Sequence, residues 1–158
     1  MSDQPAKRGR GRPRREGADD EILAVTLAIL REDGYGALNV DTVAELAGVA
    51  KTTLYRRWPS KSALVAAAIA PLTGDDGQAN DVEGILCEAA ELLRLFDGAD
   101  AEAIEVIAVT LQPRRERLGK LTGNLEADAL IGALLTRLIV TREPLDKDFA
   151  AALARLYT

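Results

Sequence analysis

The chain has 158 residues and a formal net charge of −5, with 28% charged and 47% apolar residues, a balance that points to a soluble globular protein. It contains no histidine and one cysteine, which excludes the usual neutral-pH general base, an internal disulfide and a zinc site built on a cysteine cluster. No apolar run approaches the roughly 20 residues that span a bilayer, and no glycine-rich phosphate loop or nucleophile elbow is present.

The expectation is a cytoplasmic, non-enzymatic protein without metal or cofactor. The basic N-terminus lacks the apolar segment of a secretory signal. The charge is unevenly spread. Residues 1 to 70 hold eleven Lys or Arg against nine Asp or Glu, whereas residues 71 to 158 hold nine against sixteen. Positive charge is thus concentrated where an acidic total would hide it, as in proteins that meet nucleic acid at one end.

Residues 1–17 form a basic arm with almost no apolar content, carrying Lys7, Arg8, Arg10, Arg12, Arg14 and Arg15. Its Gly and Pro spacing opposes a stable helix, and disorder in free solution is expected. Gly11-Arg12-Pro13 resembles an AT-hook, in which extended arginines (here Arg10, Arg12, Arg14 and Arg15) lie along a narrow A·T minor groove. The competing reading is phosphate contact without base preference. Both place the arm on DNA.

Asp19-Asp20-Glu21 opens the first helix, where acids suit the helix dipole. Its inward face carries Ile22, Thr26, Ile29 and Leu30; Gly34 ends it and lets Tyr35 fold back onto the core. Asn39 is placed to cap a second helix, in which Val40, Val43, Ala44 and Ala47 recur at one face. Gly48 marks a sharp turn, and a third helix restarts near Lys51 with Leu54 as its aliphatic anchor. Pro59 ends that helix, and Ser60 is a natural cap for the next. Two short helices joined by a tight turn make a helix-turn-helix, whose second helix fits the DNA major groove. Its position gives Thr52 and Thr53 to base edges and Lys51 to a base or a phosphate. Arg56 and Arg57 are expected at phosphates, a solvated face being the other reading, and Thr42 can add a further phosphate bond.

The alanine-rich fourth helix, from Ser62 to about Leu72, is followed by the linker 73–80 (TGDDGQAN). Asp81 caps a fifth helix with Val82, Ile85, Leu86, Ala89, Leu93 and Phe96 on one stripe. Cys87 lies opposite, and a small surface or contact residue is the expectation over a redox thiol. Ala101 to Gln112 forms a further helix, which Pro113 is expected to interrupt. Arg114, Arg115, Arg117 and Lys120 then read as a solvated face rather than a second nucleic-acid patch. Leu125 to Arg142 is a strong helix, apolar over most of its circumference, and Asp146 caps the last. A helix apolar nearly all round needs more cover than one small protomer supplies, which points to dimerisation.

The segment from Ile22 to Leu64 resembles the TetR family of transcriptional regulators. The likeness rests on Gly34-Tyr35, Ala47-Gly48-Val49, Thr53-Leu54-Tyr55 and the run Trp58 to Lys61, four pieces in register over more than forty residues. Ala50 stands where the family usually has a capping serine. The resemblance implies a phosphate contact for the Tyr55 hydroxyl and a backbone clamp for Lys61. RLIVTREPLDKDF resembles the closing helices through which family members pair across a two-fold axis; Leu130, Leu134, Leu138, Phe149 and Leu153 are the side chains expected in that contact.

The expected fold is therefore all-α. A basic arm (1–17) precedes a three-helix helix-turn-helix head with its linking helix (18–72), a linker (73–80) and a helical dimerisation and regulatory domain (81–158). The expected function is a homodimeric repressor on a near-palindromic operator of double-stranded DNA, released by a small-molecule effector. The C-terminal domain is short for such a sensor; Glu105, Thr110 and Gln112 are polar candidates on or near its buried helices, with an exposed face the preferred reading for each. The alternative is a constitutive, architectural DNA binder led by the arm.

Overall fold

The computed structural model describes residues 17–74 and 79–157, and among these no strand occurs. The arm residues Arg10, Arg12, Arg14 and Arg15 lie outside the described residues.

Helix α1 runs Ala18–Ala37, with Asp19, Asp20 and Glu21 in its first turn and Ile22, Thr26 and Leu30 buried. Thr26 costs nothing as a buried polar group, because its hydroxyl donates to the Ile22 carbonyl at 2.8 Å. At Gly34 the backbone leaves the helix (φ 77, ψ 176), which drops Tyr35 into the core with no exposed surface. Helix α2 is Val40–Leu46, and the Asn39 side chain accepts from the Asp41 N–H at 2.8 Å, the cap expected of it. Helix α3 is Lys51–Arg57 and helix α4 is Lys61–Ile69, continued by a tight turn through Ala70–Leu72. The Ser60 hydroxyl caps α4 by accepting from the Ala63 N–H at 3.0 Å. Helices α1 and α4 pack side by side, α2 packs against α1, and α3 packs on α2.

Helix α5 spans Val82–Arg94 and is capped by Asp81, whose carboxylate accepts from the Gly84 N–H at 2.7 Å. Helix α6 is Ile104–Thr122, preceded by a tight turn at Ala101–Ala103 that Asp100 caps. Pro113 does not interrupt it, contrary to expectation. The carbonyl that loses its N–H partner belongs to Val109, on the exposed side of the helix. Tertiary packing of Val106, Ile107, Leu111 and Leu118 holds both halves in line. The apolar stretch expected as one helix divides: α7 is Asn124–Leu135, a wide π-type turn covers Thr136–Thr141, and Arg142 adopts a left-handed conformation (φ 57). Helix α8 is Lys147–Ala154, capped by Asp146. Helix α5 packs between α6 and α8, and α6 packs along α7.

The side chains expected at a dimer contact face the protomer's own core. Leu130 and Leu134 have no exposed surface, Leu138 and Leu153 are buried, and half-buried Phe149 lies under the Arg137 guanidinium, 3.9 Å from its ring centre. The physical reason is that α7 uses this stripe to cover α5 and α6. The apolar groups it turns outward are different ones: Leu125 at 78% and Val140 at 73% exposure, with Ile139 beside them.

No helix among the described residues is long and apolar enough to cross a membrane.

Candidate nucleic-acid interface

The turn between α2 and α3 is built by Gly48, whose φ of 63 is a conformation that side-chain-bearing residues rarely adopt. It lets the Val49 N–H return to the Ala44 carbonyl at 3.0 Å and sets α3 across α2. Leu54, with no exposed surface, pins α3 to the core, and Trp58 packs partly buried behind it. The opposite face of α3 is thereby fixed outward. Lys51, Thr52, Tyr55 and Arg56 are exposed on it, Thr53 is half-buried at its edge, and Thr42 is exposed on α2.

Ala50 takes the extended cap conformation (φ −71, ψ 138) but offers no side-chain acceptor to the α3 N-terminus. Lys51, the first residue of α3, is tied to α2 instead. Its amine reaches Asp41 on α2 at 2.6 Å, which raises its pKa, and it lies 5.9 Å from the centre of the Tyr55 ring. This pair, invisible as such in the sequence, presets the direction of the lysine.

Two of the expected phosphate ligands are engaged within the protein. Arg57 is ion-paired with Asp19 at the start of α1. The Lys61 amine sits 4.2 Å over the Tyr35 ring, where burial pushes it below the usual lysine range against the pull of Asp100 and Glu102. The Tyr35 phenol is pushed up to about 12 by burial, with the Asp100 and Glu102 charges adding to it.

The solvated face expected for the basic stretch on α6 holds for exposed Lys120 and for Arg115, whereas Arg114 and Arg117 turn inward. Arg114 is buried and donates to the Leu72 carbonyl at 3.0 Å. Arg117 pairs with Glu88 at 2.8 Å and also donates to the Ala79 carbonyl. Arg115 pairs with Asp128 at 2.7 Å. Cys87 is half-buried on α5, and burial together with the Glu83 charge pushes its thiol up, away from reactive thiolate. Among the described residues no cluster of His, Cys, Asp or Glu is suited to hold a metal ion.

A short helix anchored by one buried leucine, held across its neighbour by a left-handed glycine and presenting hydroxyls and cations outward, is a helix-turn-helix of the DNA-binding class. Residues 22–68 match the family model of bacterial regulatory proteins, tetR family. Over 68 residues the chain is 48% identical to the uncharacterized HTH-type transcriptional regulator Rv1556 of Mycobacterium tuberculosis, a match covering 43% of this chain and 32% of that protein. It is 27% identical over 173 residues to the uncharacterized HTH-type transcriptional regulator YdeS of Bacillus subtilis, covering 89% of this chain and 87% of that protein. It is 47% identical over 60 residues to the DNA-binding transcriptional repressor TetR of Mycobacteroides abscessus, covering 38% of this chain and 30% of that protein. The matched stretch spans about a third of the first curated relatives' length. Residues 22–68 thus match the helix-turn-helix of the TetR family, and along most of its length the chain is similar, at lower identity, to one HTH-type transcriptional regulator.

Proposed function

We propose that the protein is a homodimeric repressor that places two copies of α3 in successive major grooves of a near-palindromic operator. The observation that carries this reading is the outward face of α3, with Lys51, Thr52, Tyr55 and Arg56 exposed around the buried anchor Leu54. Thr52, Thr53 and Lys51 read base edges. Thr42, Tyr55 and Arg56 hold phosphates, and Arg57 and Lys61 join them where DNA outcompetes their internal partners. Backbone contacts supply salt-sensitive affinity and the base contacts supply register. The arm, through Arg10, Arg12, Arg14 and Arg15, adds contacts beside the half-site.

Pairing of the two copies is assigned to the outer face of α7 and the turn after it. Leu125, Ala129, Gly132, Thr136 and Val140 recur there at helical spacing, with the small residues in the middle where a second helix can approach closely. Release by a small-molecule effector is part of the reading. It is supported by a half-open cleft of about 910 Å³ between the end of α1, α5 and the α7–α8 connection, walled by Leu92, Leu95, Leu138 and Leu145 and, for the larger part, by charged side chains such as Arg31, Arg94 and Arg137. That volume is within the range of small-molecule sites. The site of action is the bacterial cytoplasm.

The test is selection of bound genomic DNA fragments by the purified protein at near-physiological salt. A single palindromic motif supports the dimeric regulator and supplies the target for effector screening. Diffuse AT-rich enrichment replaces it with an architectural binder led by the arm, the reading that RGRGRPRR favours.

A further inference from the structure

The end of α1 and the turn after α5 meet backbone to backbone. The Gly36 N–H donates to the Asp97 carbonyl at 2.7 Å. A Cβ added at Gly36 would lie 2.9 Å from the Gly98 Cα, and one added at Gly98 would lie 2.8 Å from the Gly36 Cα. Real side chains do not tolerate such distances to backbone, so both positions need glycine, and Gly98 also has a φ of 69. The residues on either side extend the joint. Tyr35 stacks on Phe96 with ring centres 6.2 Å apart, and both are without exposed surface. The Lys61 amine closes over the other side of Tyr35 from the first turn of α4.

A joint made of backbone atoms has no side-chain slack. Side chains at an interface can change rotamer and let two units shift; a close contact between two glycines, with the Gly36–Asp97 backbone hydrogen bond beside it, leaves far less freedom of separation and angle. Everything that aims α3 is downstream of this joint, because α2 follows Gly36 within four residues and α4 carries Lys61.

We infer that Gly36 and Gly98 are positioning residues for DNA recognition, fixing the angle at which the C-terminal unit presents the helix-turn-helix. They touch no DNA in this scheme. Their role is to make the distance between the two recognition helices of the dimer single-valued, and so to set the half-site spacing the protein accepts. The inference rests on the dimeric DNA-binding reading above.

The experiment is the bound-fragment selection repeated with full-length Gly98→Ala and with Phe96→Leu, alongside the wild type. The expected result is an unchanged half-site sequence with a shifted or broadened distribution of spacings. Affinity for the best wild-type site should fall about tenfold, within the range usual for coupling between two parts of a protein. A folded Gly98→Ala variant that keeps the wild-type spacing overturns the inference, even where affinity drops, because loss of fold stability alone lowers occupancy without moving the preferred spacing. If circular dichroism shows Gly98→Ala unfolded, Phe96→Leu decides in the same way, since it loosens the stack without intruding on the backbone contact. A wild-type selection without paired half-sites rejects the dimeric reading and this inference together. A wild-type spacing preference that both variants retain rejects the inference alone.

Discussion

The Arg117 guanidinium meets the Glu88 carboxylate at 2.8 Å, and the two side chains together hold the backbone of Ala79 from both sides. Glu88 accepts from the Ala79 N–H at 2.9 Å while Arg117 donates to the Ala79 carbonyl. One helical turn earlier on α6, Arg114 holds the Leu72 carbonyl at 3.0 Å. Helix α6 therefore grips the chain on both sides of residues 75–78, where the DNA-binding part passes into the C-terminal part. A run of arginines that suggests nucleic acid is spent on fixing that passage.

Glu88 makes this grip sensitive to acid. Burial alone would raise its pKa, but the Arg117 guanidinium and the Ala79 N–H outweigh burial and hold it below the usual glutamate range. A depressed carboxylate pKa contributes stability that is present above the unfolded-state value and is lost as pH falls through the folded-state value. The expected outcome is that Glu88→Gln lowers stability at neutral pH by about 1–2 kcal/mol, the scale of a hydrogen bond to a charged group. The difference from wild type should shrink as pH drops below the glutamate range. Thermal melts of both proteins across an acid pH series check this, and a difference independent of pH would remove Glu88 from the grip.

Ala50 offers a gain instead of a loss. Its backbone already has the extended conformation of a cap, yet α3 begins without a side-chain acceptor. Ala50→Ser supplies one at no backbone cost and is expected to add about 1 kcal/mol. For a chain of this size that is a rise in Tm of about 2–4 °C. An unchanged Tm would mean that the serine hydroxyl does not reach the N–H groups of the first turn of α3.

Features governed by near neighbours were legible in the sequence. Asn39, Ser60, Asp81 and Asp146 all cap the helices assigned to them, because a cap depends only on residues two or three positions away. Gly48 was readable for the same reason. Pro113 was misjudged because the local rule omits the packing that carries α6 through it. Partners far along the chain were not legible: Arg117 and Glu88 are 29 positions apart, and Arg114 and Leu72 are 42 apart. Helix α7 posed a different difficulty. A helix apolar on every side has no periodicity to say which stripe faces inward, so Leu130 and Leu134 were indistinguishable from the outward Leu125 and Val140.

That distinction is testable. Leu134→Ala empties a fully buried position and is expected to cost about 3–5 kcal/mol of fold stability. Val140→Asp changes a side chain that is 73% exposed and should leave the helical content of the protomer intact while dissociating the proposed dimer. Sedimentation velocity at several concentrations reads the second effect directly. A Val140→Asp protein that still sediments as a dimer would place the pairing face elsewhere on the molecule.

The arm has an electrostatic signature of its own. Its six cations predict that deleting residues 1–15 weakens binding and flattens the dependence of log K on log salt by as much as about five per arm. Titrations at four or more salt concentrations give the slope. A slope equal to that of the intact protein would mean the arm stays off the DNA.

Readout and anchoring separate by the way a substitution spreads over sequences. Tyr55 is 42% exposed, and its ring borders Lys51. Tyr55→Phe removes the phosphate contact proposed for its hydroxyl and is expected to weaken every site by a similar factor, because phosphates carry no sequence. Thr52 is exposed in the first turn of α3, the part of a recognition helix that meets base edges. Thr52→Ala should therefore relax preference at one or two positions of each half-site by about 1–3 kcal/mol while leaving the others unchanged. Competition binding against a library of single-base operator variants distinguishes the two patterns. A Thr52→Ala profile that parallels the wild type at every base would move the readout to Lys51 and Thr53, which share that turn of the helix.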